Sequence, residues 1–267
     1  MFKDITFGQY FPGESVVHRL DARTKLILAA AYITIIFFVD TFIGYAVLAA
    51  FLLMAVAIAG ISPKFLLKSL KPILFIVVLT FILNIFMVKG ETILVEFWVI
   101  SISWEGIRSA LFLALRLVLL IMGTSVLTLT TSPLSLTDAM ERLFKPLNAI
   151  RFPVHEMAMM MTIALRFIPI LTEEADKIMK AQMARGADFE SGNLIKRAKA
   201  MVPLLVPLFV SAFRRADELA MAMEARCYQG GKNRTRMNTT HMGTIDINSM
   251  LLMLAVCAYI VLEGWVL

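Results

Sequence analysis

The sequence predicts an all-α membrane protein with about five transmembrane helices and a large cytoplasmic helical segment between the fourth and the fifth. Three observations carry this. Hydrophobic residues make up 59% of the 267-residue chain and charged ones only 17%, against ~45–50% and ~25% in soluble domains. Five apolar runs approach the ~20 residues that a helix needs to cross a bilayer. Threading those runs alternately puts 23 of the 26 Lys and Arg residues on one side, the asymmetry that marks a cytoplasmic face.

The first run, residues 26–39, is short, but Thr24 extends it and Lys25 can snorkel to the interface. Ahead of it, Asp4, Glu14, Arg19, Asp21, Arg23 and Lys25 accompany no apolar core, so the first span does not read as a cleavable signal. Further runs follow at residues 42–61, 73–88, 107–131 and 250–267. The amino terminus is expected in the cytoplasm and the carboxyl terminus outside. Trp98, Trp104 and Trp265 then fall near the outer interface, where amphipathic rings are favoured. Residues 92–104 partly alternate and read as an external interfacial segment. The expected divisions are 1–131, 132–243 and 244–267.

Residues 132–243 hold 16 basic and 11 acidic residues among apolar ones, too long a stretch to be a loop. Ser135 and Asp138 read as a capping box for a short amphipathic helix that ends around Pro146 and Asn148. Pro153 suits the first turn of a second helix over residues 154–184, kinked near Pro169 and stopped at Gly186. A third helix starts near Asn193, carries Pro203 and Pro207, and ends near Arg226. Arg166 interrupts the apolar part of the second helix, and a cation at mid-span is costly. Long amphipathic helices at the membrane surface are therefore expected.

Within this segment a pattern recurs at an offset of 41 residues: Ala175-Asp176, Ala181 and Ala184-Arg185 match Ala216-Asp217, Ala222 and Ala225-Arg226. A cation in a last helical turn is ordinary capping. Two copies with matched upstream spacing point further, to a partner that offers two like acidic grooves. Methionine is concentrated here too, 12 of 18, with Met157, Met159, Met160 and Met161 in about one turn. Such residues fill irregular cores and also line surfaces that accept several partners. Four within five positions cannot all face one core.

Several chemistries are excluded. Gly230-Gly231-Lys232-Asn233 lacks the upstream glycine and the hydroxyl residue of a phosphate loop. His155-Glu156 opens like a zinc-protease helix, but position 159 is methionine. Cys227 and Cys257 support no disulfide framework, and Asn233-Arg234-Thr235 sits on the wrong side for glycosylation. No cofactor, metal or catalytic residue is expected, and the net charge of +6 reflects membrane sidedness rather than nucleic-acid binding. Arg116 is the one clear charge inside a span, free to pair with a carbonyl or with Asp40. A self-sufficient secondary transporter would need a midplane substrate site and repeated spans, and a membrane enzyme paired catalytic groups.

The tripeptides Ala184-Arg185-Gly186 and Ala225-Arg226-Cys227, the stretch His18-Arg19-Leu20-Asp21-Ala22-Arg23-Thr24-Lys25 and the run at residues 153–171 resemble the transmembrane T component of energy-coupling factor transporters. That resemblance implies an L-shaped protein with three coupling helices near the cytoplasmic surface. It implies that the two tripeptides dock into two ATP-binding-cassette ATPases, which perform the hydrolysis. It also implies a membrane-embedded, exchangeable substrate-binding S component, which fits a methionine surface formed by Met157, Met160 and Met161. Cys227 departs from the glycine the family often shows. Such a chain is a non-catalytic coupling subunit in the cell membrane, importing a vitamin or micronutrient.

Overall fold

The computed structural model describes residues 10–88, 92–97, 100–187, 189, 193–231 and 242–266. Trp98, His241 and the Asn233-Arg234-Thr235 tripeptide lie outside them. The chain divides into two compact units: Gly8–Ala139 with Thr240–Leu267, and Met140–Thr239 with Met1–Phe7.

The first unit is a helical bundle. After the single-turn α1 (Val16–Arg19) come α2 (Ala22–Ile36), α3 (Phe42–Ala59), α4 (Pro63–Met87), α5 (Trp104–Thr130) and, from the end of the chain, α9 (Thr244–Val266). Local chemistry sets their starts. Asp21 caps α2 by accepting from the Arg23 amide at 2.9 Å, Thr41 caps α3 at 3.1 Å and Ser103 caps α5 at 3.0 Å. α4 opens with Pro63 in its first turn, where a missing N–H costs nothing. It therefore begins ten residues before the apolar run at 73–88. Lys64, Lys68, Lys71 and Pro72 conceal that beginning from a hydropathy reading.

Hydrogen bonds fix the helix directions. Lys25, early in α2, donates from Nζ to the carbonyl of Thr130 at the close of α5, 2.9 Å away. The Asp21 amide donates to Asp246 in the first turn of α9 at 2.9 Å. At the opposite end Thr41 donates to Glu263, late in α9, at 2.6 Å, and Ser103 donates to the Val88 carbonyl at 2.9 Å, closing the α4–α5 hairpin. Hence α2 and α9 run parallel, and α3 and α5 run against them. The core lies between: Ile36 and Leu48 are wholly buried and pack with Tyr32, Leu52, Leu119 and Met253. Gly123 makes room for the Tyr32 ring, because a Cβ there would sit 2.5 Å from it. The ring's hydroxyl reaches the Leu119 carbonyl at 3.4 Å. Small residues that admit a close neighbour are the usual means of helix association in lipid.

Residues between α4 and α5 add an antiparallel hairpin, β1 (Ile93–Phe97) with β2 (Ile100–Ser103). The partial alternation at 92–104 is the imprint of these two strands. Trp104 and Trp265, both well exposed, lie at the end of the bundle opposite Lys25.

In the second unit, α7 (Val154–Ala184) and α8 (Leu194–Ala225) are 31 and 32 residues long. α6 (Pro133–Leu143), whose residues up to Ala139 belong to the first unit, precedes them, followed by a 3₁₀ turn at Lys145–Ile150. The start of α6 corrects the capping box proposed at Ser135. Ser132 is the capping hydroxyl, accepting from the Ser135 amide at 3.2 Å, because Pro133 can begin a helix directly. By length and composition five described helices can cross a membrane: α3, α4, α5, α9 and also α7, while α2 has only 15 residues.

Candidate docking site

α7 and α8 end in the same way. In α7, Arg185 is the cap residue and Gly186 follows with φ of 89°. The amides of Arg185 and Ala187 both donate to the Gln182 carbonyl at 3.0 Å, and that of Gly186 donates to Met183 at 2.9 Å. In α8, the amides of Arg226 and Tyr228 donate to Met223 at 3.2 and 3.0 Å, and that of Cys227 donates to Glu224 at 2.8 Å. Every donor and acceptor of the second set lies 41 residues after its counterpart in the first. This is the closure in which a left-handed residue reverses the chain and two turn amides cover the last free carbonyls. Cys227 takes that left-handed place with φ of 56°. The departure from glycine therefore leaves the turn intact.

The consequence is two matched arginines at two helix tips. Ala184, Arg185, Gly186, Ala225, Arg226 and Cys227 are all exposed, and among the described residues neither guanidinium has a hydrogen-bond or ion-pair partner. Each sits at the negative end of a long helix dipole, which favours it there. A planar fork of donors, outward and unpaired, is suited to carboxylates on another molecule.

The repeat extends to a contact that the sequence reading did not single out. Glu174 of α7 pairs with Arg215 of α8 at 3.6 Å. The two are themselves 41 residues apart, and each precedes the arginine at its own helix tip by 11 residues, or ~16 Å of helix. The opposite charges before Ala175-Asp176 and Ala216-Asp217 were the available signal. The repeat is not complete, since Ala175 is buried and Ala216 exposed. What is duplicated is the meeting point and the tip.

Met157, Met160 and Met161 share one face of α7 and are 47%, 59% and 52% exposed, whereas Met159 is half-buried. The spacing i, i+3, i+4 makes the first three neighbours on the helix surface. α8 carries a second apolar face that the sequence reading did not assign: Val202, Val206, Phe209 and Phe213 are all exposed. At the start of α7, His155 donates from Nδ1 to the Glu141 carboxylate of α6, 2.9 Å away. The described residues contain no cluster of three or more metal-ligating side chains. In the bundle, Arg116 is held by the Val39 carbonyl and the Tyr45 hydroxyl, each at 3.1 Å, with Asp40 at 3.7 Å. This satisfies it through the partners its position in the sequence allowed.

A family model described as "CbiQ: Cobalt transport protein" matches residues 13–237. The chain belongs to that family. The chain is 57% identical over 245 residues to an energy-coupling factor transporter transmembrane protein of Thermosediminibacter oceani, covering 92% of each. It is 53% identical to the protein of that name in Clostridium kluyveri, covering 99% of each. The Bacillus subtilis counterpart is 51% identical, with 88% of this chain and 89% of the relative covered. The T-component resemblance read from the tripeptides is thus a family membership, and this CbiQ-family chain is a multi-pass membrane component of a transporter.

Proposed function

We propose that the chain is the coupling scaffold of an ATP-driven importer: Arg185 and Arg226 anchor two ABC-type ATPases, and the coupling helices hold a membrane-embedded substrate-binding partner. The observation that carries this reading is the pair of helix tips with one hydrogen-bond pattern and one outward, unpaired arginine each. Capping alone accounts for a basic residue at either end. It gives no reason for two ends, 41 residues apart, to share every turn bond and the distance to the Glu174–Arg215 contact. Two like ATPase subunits, each with an acidic groove, supply that reason.

The exposed faces of α7 and α8 support the second half of the reading. Met157, Met160 and Met161 present soft, adaptable side chains, as suits a surface on which different S components exchange. The chain itself performs no hydrolysis. The basic excess around α1, α2 and the start of α4 supports a cytoplasmic amino terminus, with the segment 132–243 on the same side. This keeps α7 at the surface, although its length would let it cross, because a span through Arg166 would bury a charge.

The test is affinity purification of the tagged chain in mild detergent. Recovery of two ATPase chains and one further membrane protein per copy is expected, with the Arg185→Ala, Arg226→Ala double variant losing the ATPases yet still inserting in the membrane. A chain that transports alone in liposomes without ATP would overturn the reading.

A further inference from the structure

Six of the eight buried polar or charged residues among those described, Asp21, Thr24, Lys25, Thr130, Thr131 and Asp246, belong to three chain segments that meet at one end of the bundle. Their bonds match charge to helix polarity. The Asp246 carboxylate accepts from the Gly243 amide at 2.8 Å and from the Asp21 amide at 2.9 Å, so one negative group serves the positive starts of α9 and α2. Asp21 pairs in turn with Arg23 at 2.9 Å and raises that guanidinium's hold on its proton. Lys25 donates to the carbonyls of Thr130 and His18 at 2.9 and 3.0 Å, so one positive group serves the negative close of α5. The hydroxyls of Thr24 and Thr131 are buried beside these bonds without a partner among the described residues. The charges therefore hold the site.

The position of this knot matters more than its composition. Residues 132–243, which carry both arginine tips, leave α5 after Thr131 and return to α9 at Thr244. Lys25 grips the exit through Thr130, and Asp246 grips the return through Gly243. Both grips converge on the start of α2, within the stretch His18 to Lys25 that marks the family resemblance. We propose that the start of α2 is a clamp that makes the exit and the return of the coupling segment move as one body. This rests on the reading of that segment as ATPase-driven. A displacement imposed at the arginine tips then reaches the bundle as a single motion of α5 and α9. Without the clamp the two strands of chain yield separately and the displacement is lost between them.

The experiment measures the distance between the two gripped points in the assembled complex. Nitroxide amino acids are encoded at Leu134 and Asn248, both exposed, leaving the native cysteines in place, and distances are read by electron–electron resonance with and without Mg-ATP. The native chain should give one narrow distribution that nucleotide does not broaden. Lys25→Met, which keeps the stem and loses the donors, and Asp246→Asn, which cannot accept both amides as a carboxylate does, should each broaden it on addition of Mg-ATP. ATPase recovery and hydrolysis should persist. Lys25→Arg restores charge and donors and should restore the narrow distribution. If Lys25→Met fails to fold, Asp246→Asn decides. Narrow distributions in the folded variants, with nucleotide present, would overturn the clamp. Failure of the native chain to recover ATPases would instead overturn the coupling reading, and the same distances in the chain without nucleotide would still report whether the grips hold.

Discussion

The left-handed residue at each arginine tip gives the sharpest prediction. Gly186 and Cys227 occupy equivalent turns, with φ of 89° and 56°. A side chain in that conformation costs ~1–2 kcal/mol, because its Cβ crowds the following carbonyl. Glycine avoids the clash but loses more freedom on ordering, ~0.5–1 kcal/mol relative to alanine. Cys227→Gly should therefore stabilise the end of α8 by roughly 0.5–1 kcal/mol, the difference between the two effects. Gly186→Ala should destabilise the end of α7 by a similar amount. Nothing lies within 4 Å of a Cβ built on Gly186, so the effect is purely one of backbone conformation. Hydrogen exchange is the suitable assay because the change is local. The amides of Ala187 and Tyr228, which close the two turns, should exchange about twofold to fivefold faster in Gly186→Ala and slower in Cys227→Gly, since 1.4 kcal/mol is a factor of ten. Each change should leave the other tip unaffected. If Cys227→Gly accelerates exchange at Tyr228, the turn is held by something other than the left-handed cap.

Three further outcomes are expected. Arg185→Ala or Arg226→Ala should weaken ATPase association by ~2–5 kcal/mol each, as for a truncated buried charge pair. Lysine should restore little of this, because it lacks the fork geometry; ATPase content of the purified complex is the measurement, and native content in the double variant would reduce the arginines to caps. Replacing Met157, Met160 and Met161 together by serine should lower the ratio of S component to ATPase, each side chain contributing ~1.5–3 kcal/mol if it is buried in the interface. A fall in ATPase instead would assign the face wrongly. A cysteine at Ser191, in a chain with Cys227 changed to Gly and Cys257 to Ser, should resist an impermeant thiol reagent applied to intact cells; reaction there would place the coupling segment outside.

The bounds of α7 were legible because strong local signals flank it: Pro153 before the first turn and Gly186 after the last. The repeat was legible because its residues are close in sequence. The start of α4 was not, because three lysines and Pro72 in its first turns look like the edge of a loop. The helix nevertheless runs through them, with Leu66 buried in a cluster that includes Leu129 of α5. The hairpin between α4 and α5 was half legible, as alternation without pairing. The grip on Asp246 was invisible, since its partner Asp21 lies 225 residues away. The stretch around Asp21 and Lys25 stood out as a family mark, and Lys25 was read as a cation that snorkels; it is instead buried, with its donors turned inward to the His18 and Thr130 carbonyls.

The sequence marked Arg116 as the one clear charge inside a span, able to pair with a carbonyl or with Asp40, and the bundle supplies both. Lys25 reaches α5 at Thr130 and the Val39 carbonyl reaches it at Arg116. α2 and its turn thus cover 14 residues of α5, or ~21 Å along the axis. The distal limit of that span is where Asp40, Thr41 and Glu263 gather, with Trp265 two residues beyond. Arg116 therefore sits at the rim of the short helices, although it lies near the middle of α5, 12 residues from Trp104 and 14 from Thr130. α4 and α5 continue past it for about three further turns to Trp104. At that rim the Arg116 guanidinium is met by the Val39 carbonyl, the Tyr45 hydroxyl and the exposed Asp40 carboxylate. α2 and its turn thus join the Lys25 end of the bundle to the Arg116 rim. The charge at Arg116 secures the turn that follows α2.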